Sequence, residues 1–148
     1  MSGSVTGMNE NLITFKTWCR DAFQYLLKDH GFRELPDLHP KHANPFQVRF
    51  TNGVTELLIL GESYGTVASV SYVTQDNIEV ATQLLEPDWE PFKKRKMKKT
   101  PQVSQRDQIF AVAARIKARD SDILSGDTNR LVSAAARWRS ICEKMKWK

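Results

Sequence analysis

The sequence predicts an α+β fold, with an N-terminal helix packed on an antiparallel three- to four-stranded meander and helices at the C-terminus. Three observations predict it. Apolar residues near the N-terminus recur at helical spacing, a stretch centred on Asn52-Gly53 alternates apolar and polar residues, and helical spacing returns beyond Ser104.

Leu12, Phe15, Cys19, Ala22, Phe23 and Leu26 share one helical face, and Gly31 tolerates the left-handed conformation that ends a helix, so a helix is expected from about residue 10 to 29. Pro36 and Pro40 limit residues 32–44 to a short edge strand over 33–37 and a solvated loop. Phe46, Val48 and Phe50 then alternate with Gln47, Arg49 and Thr51. Asn52-Gly53 is the preferred dipeptide of a two-residue type I′ hairpin. That turn sets Val48 opposite Leu57, Phe46 opposite Ile59 and Arg49 opposite Glu56, giving one apolar face and one face with an ion pair.

Gly61 to Gly65 reads as the next turn and Val67–Val73 as a further strand. Ile78–Leu85 suggests a short helix ended by Pro87. Ser104 caps a helix whose apolar stripe is Ile109, Val112, Ala113 and Ile116. After a break at Asp122–Asp127, Leu131, Ala134, Ala135, Trp138, Ile141, Cys142 and Met145 define the last helix. Residues 1–8 read as a flexible tail and 9–148 as one domain, with a basic linker at 87–103.

Hydrophobic residues at 41% and charged residues at 26% are those of a globular chain, which argues against wholesale disorder. The longest aliphatic run, Leu57–Leu60, is far too short to cross a bilayer, so no membrane association is expected. The N-terminal residues lack the basic start and apolar stretch of a secretory signal, and a cytoplasmic location is the expectation. Cys19 and Cys142 stand far apart, without metal-ligand or redox spacing.

The formal charge of +5 hides a strong asymmetry. Residues 1–92 carry −6, residues 93–99 carry +6 and residues 100–148 carry +5. Segregation of this kind points to a charged partner.

No catalytic constellation emerges, so the chain is expected to bind rather than catalyse, with no cofactor and no small-molecule substrate. Asp37, His39 and His42 offer oxygen and nitrogen donors, but Pro40 stiffens their loop and helical ligand spacing is absent, so no metal is expected. Gly61, Ser63 and Gly65 lack the lysine and glycine spacing of a phosphate loop. The feature that looks functional is the run Lys93, Lys94, Arg95, Lys96, Lys98 and Lys99, preceded by Trp89 and Phe92. Clustered cations attract phosphates and an adjacent aromatic stacks on bases, yet the same residues dock equally well on an acidic protein surface. Tyr64, beside Gly65, is a further candidate contact.

Phe23–Leu26 with Gly31-Phe32, Asn44-Pro45-Phe46 with Val48–Phe50 and Asn52-Gly53, Leu58–Gly61 with Tyr64-Gly65, and Asp122–Asp127 succeed one another along the chain. In this combination the sequence resembles the small immunity-type proteins of contact-dependent or polymorphic bacterial toxin–immunity systems. The resemblance implies a cytoplasmic, non-enzymatic protein of bacterial competition that neutralises a cognate toxin domain by covering or locking it. Inhibitors of nucleases are often acidic, whereas the C-terminal third here is basic; either the acidic first part makes the contact or the toxin presents an acidic surface. The alternative is a nucleic-acid-binding module using residues 93–99.

Overall fold

A computed structural model describes residues 3–62, 67–85 and 103–145. It is α+β: an N-terminal helix, a five-stranded antiparallel sheet and C-terminal helices. The strands are β1 (Arg33–Leu35), β2 (Gln47–Thr51), β3 (Glu56–Glu62), β4 (Val67–Val73) and β5 (Glu79–Ala81), in spatial order β1-β2-β3-β4-β5. Both edge strands are three residues long, which limits the unpaired backbone offered to other chains.

The first helix differs from expectation at both ends. Helix α1 runs Gly3–Ala22, reaching into the segment expected as a tail, and a separate α2 covers Gln24–Asp29. The interruption is Phe23, whose ψ of 17° departs from helical values while its ring is buried 6.2 Å from that of Phe50. Gly31, at φ +67°, turns the chain after α2, and the Phe32 N–H returns to the Leu26 carbonyl at 3.0 Å.

The hairpin forms where expected but in a different register. Val48 stands opposite Ile59 and Phe50 opposite Leu57, with Thr51 paired to Glu56 across the four-residue loop 52–55. A type I′ turn needs positive φ at both Asn52 and Gly53. Only Gly53 has it, at +91°. Asn52 acts through its side chain instead: its Oδ1 accepts the N–H groups of Val54 and Thr55 at 2.9 and 2.8 Å. The slip of two positions leaves every residue on its original face. Arg49 therefore reaches Glu56 diagonally, at 2.6 Å. Phe46 now lies across from Gly61, whose N–H donates to its carbonyl at 2.8 Å.

The expected helix over Ile78–Leu85 is replaced by β5 and a 3₁₀ turn, Thr82–Leu85. Asn77, at φ +63°, reverses the chain so that Val80 pairs with Tyr72 and enters the core. Two alternating apolar residues are too few to reveal a strand against a helical reading.

Ser104 caps α3 (Gln105–Arg119) as expected, its Oγ accepting the Asp107 N–H at 3.1 Å. A single turn, α4 (Ser121–Leu124), and Gly126 at φ +102° lead to α5 (Asn129–Met145), with Asp127 accepting the Asn129 N–H.

One apolar cluster joins the helices to one face of the sheet. Phe15, Cys19, Phe23 and Leu26 pack with Val48, Phe50, Leu57, Ile59, Val70, Tyr72 and Val80, and with Ile109, Ile116, Ile123 and Leu131. Each wholly buried large aliphatic or aromatic side chain here contributes about 1.5–3 kcal/mol. Gly61 lets Phe15 descend onto the sheet, since a Cβ there would stand 2.8 Å from Phe15 Cε2.

Candidate functional site

Trp89, Phe92, Lys93, Lys94, Arg95, Lys96, Lys98, Lys99 and Tyr64 lie outside the described residues. The segment carrying the basic run begins after Leu85, at the end of the 3₁₀ turn, and finishes just before Val103 and α3. Two candidate surfaces are built from described residues.

The first is the sheet's second face. Residues 36–46, with 38–44 expected as a solvated loop, form a strap across this face from the β1–β2 edge to β5. Gln47, 4% exposed, holds the strap: its Oε1 accepts the His39 N–H at 2.8 Å, and its Nε2 donates to the His42 and Asn44 carbonyls at 2.9 and 2.7 Å. Asn44 donates to the Gly61 carbonyl at 2.7 Å, and Lys41 Nζ reaches the Asn77 carbonyl at 3.1 Å. Leu58, Leu60 and Val73 on this face are buried. His39 is buried as well, whereas His42 on the same strap is partly exposed.

At the far end of the strap, His42 Nε2 lies 2.6 Å from Glu79 Oε1. One donor atom from each of His39, His42 and Glu79 falls within 4.8 Å of the others. The triplet read from sequence, Asp37 with the two histidines, is thus not the one assembled. Asp37 is exposed and turns its carbonyl to Arg49 Nη1 at 2.8 Å, while Glu79 takes its place from 37 residues beyond His42.

The second surface is where α5 meets β5 and the 3₁₀ turn. A cleft of about 200 Å³ is lined by Ser71, Glu79, Ala81, Gln83, Leu84 and Trp138. A groove of about 340 Å³ continues past Leu84 to Leu85, Arg130, Ser133, Ala134 and Arg137. Leu131, Ala134 and Ala135 anchor α5 in the core, but Trp138 is 39% exposed and Val132 61% exposed. Arg139 and Lys144 are exposed on the same helix.

No protein-family model, curated protein or solved structure matches this chain.

The remaining buried polar groups serve the fold. Asp120 is wholly buried and accepts from Tyr72 Oη at 2.8 Å and Arg119 Nε at 2.7 Å, with Arg130 Nη2 at 3.2 Å. Burial, reinforced by Asp120, pushes the Tyr72 phenol far above its ordinary range, and burial does the same to Tyr25 and to the Cys19 thiol. These groups stay protonated and are poor nucleophiles. Among the described residues no helix is long and apolar enough to cross a membrane.

Two functional candidates escape a reading of the sequence. A helix over Ile78–Leu85 conceals that β5 brings Glu79 to His42. Trp138 falls in the apolar stripe of α5 yet is 39% exposed and lines a cleft with Ser71, Glu79 and Ala81, which periodicity does not encode.

Proposed function

We propose that this chain is a non-enzymatic, immunity-type protein that acts in the cytoplasm by binding a cognate toxin domain one-to-one and neutralising it. The observation that carries the reading is an exposed tryptophan on a helix that also exposes cations. Trp138 stands 39% exposed and lines a cleft, and Arg139 and Lys144 are exposed elsewhere around α5; the sequence holds six further cations at 93–99, outside the described residues. Tryptophan and arginine are the residues that dominate binding energy at protein interfaces, and a rim of cations raises the association rate toward an acidic partner. An acidic face on the toxin domain is the complement this surface fits.

The excess of acidic residues lies in the first part of the sequence, where residues 1–92 hold a charge of −6, although Glu79 lines the cleft beside Trp138. The Arg49–Glu56 and Arg20–Glu34 pairs and the Asp120 network bind ionic groups of the fold to one another, which supports a scaffold that presents a surface.

The test is co-purification with the product of the gene immediately upstream. A stable one-to-one complex that relieves that product's toxicity supports the proposal; a neighbour that neither binds nor is toxic removes it. Trp138→Ala is expected to weaken the complex by about 2 kcal/mol or more. The cation-rich composition also suits nucleic acid, which is separated by titrating an oligonucleotide at about 50 mM salt, where phosphate contacts are strongest. Affinity falling linearly with log salt there, without a protein partner, would favour a nucleic-acid module.

A further inference from the structure

We propose that His39, His42 and Glu79 form a binding site for a divalent transition-metal ion, Zn²⁺ being the chemical fit, which clips the strap 36–46 to β5. Two imidazoles and one carboxylate are a donor set that zinc takes readily, and no cysteine is required. The donors come from opposite ends of the fold: two from a loop leaving β1, and one from the far edge strand.

The geometry is close to a coordination site. Donors bonded at roughly 2.0–2.1 Å around a tetrahedral ion stand about 3.3 Å apart. The present donors lie within 4.8 Å of one another, and the His42–Glu79 contact of 2.6 Å opens to admit the ion. Glu79 is fixed by its place opposite Val73 in β5. Gln47 holds the backbone of both histidines, accepting the His39 main-chain N–H and donating to the His42 main-chain carbonyl, so the loop that carries the two rings is anchored to β2.

His39 Nδ1 accepts the Lys41 N–H at 3.2 Å. A cation on either ring nitrogen replaces this long bond: directly on Nδ1, or on Nε2 because the ring proton must then move to Nδ1. One weak hydrogen bond is lost against three metal bonds. The Lys41 ammonium donates to the Asn77 carbonyl at 3.1 Å. Glu79 also lines the cleft of about 200 Å³ beside Trp138.

The experiment is calorimetric titration of the chelator-stripped full chain with zinc chloride, paired with thermal melts. The expected result is one ion per chain and a raised melting temperature. His42→Ala and Glu79→Gln are expected to weaken binding by more than the roughly 10- to 100-fold that loss of an outer partner costs. Both residues are only partly buried, so these variants avoid the unfolding risk of altering buried His39. His30→Gln, at the end of α2 and outside the donor set, is expected to leave affinity unchanged. Absence of binding and of any melting shift overturns the site, as does affinity undiminished in the His42→Ala/Glu79→Gln double variant.

Discussion

Tyr72 donates its phenolic O–H to Asp120 Oδ2 at 2.8 Å, with both residues wholly buried. This bond joins the central sheet to the junction of α3 and α4, where Arg119 and Arg130 complete the surroundings of the carboxylate. Removing the phenol leaves Asp120 with both arginines, and Tyr72→Phe is expected to cost about 1.5–3 kcal/mol. Asp120→Ala removes the acceptor shared by Tyr72, Arg119 and Arg130, leaving Arg130 with Asp122 and Arg119 with the Thr82 carbonyl, and is expected to cost more than Tyr72→Phe. Urea unfolding of the two variants checks the order; equal or negligible losses would contradict the network.

Gly61 faces the Phe15 ring, with Gln105 Nε2 2.9 Å from the position of an added Cβ. Gly61→Ala must displace an aromatic ring packed in the core. A loss of about 1–3 kcal/mol is expected in the same unfolding assay, and wild-type stability would show that the helix is not seated as described.

Cys19 is wholly buried and burial pushes its thiol far up, so no appreciable thiolate forms near neutral pH. Under native conditions iodoacetamide is expected to leave Cys19 unmodified, and labelling is expected to appear with the unfolding transition. Mass spectrometry of peptides reads this directly. Rapid native labelling at Cys19 would contradict the packing of α1.

Arg20 bonds both carboxylate oxygens of Glu34 at 2.8 and 2.9 Å, and this hydrogen bonding lowers the Glu34 pKa below its ordinary 4.5. A depressed carboxylate contributes stability that is present above the unfolded value and lost as pH falls through the folded one. The pair is largely exposed, so the contribution is less than about 1 kcal/mol. Glu34→Gln is expected to be slightly less stable than wild type near pH 7, with the gap closing as pH falls below 4.5. A gap that widens in acid would reverse the assignment.

Features set by nearby residues were legible in the sequence. The stripe of Phe15, Cys19 and Leu26, the strand Val67–Val73 and the Ser104 cap depend on periodicity and on one local hydrogen bond. The hairpin was legible in position but not in register, because Asn52 satisfies its neighbours through its side chain instead of a left-handed backbone. The strap was not legible. Its burial depends on Leu58, Leu60 and Val73 offering an apolar second face, and its attachment depends on Glu79 arriving from the opposite edge of the sheet. The charge boundary in sequence falls within residues 86–102, outside the described residues, with the sheet before it and α3–α5 after it.

The central claim is that an acidic protein partner reads the basic side of this chain. It is tested most directly by the association rate between the partner and the variant carrying Lys94→Glu, Arg95→Glu and Lys96→Glu. Electrostatic steering separates steered from neutral encounters by about 10-fold or more at low salt. Association is expected to slow to that extent, with the loss shrinking as salt is added and the thermal melt of the variant unchanged. An unchanged association rate at low salt would contradict the claim.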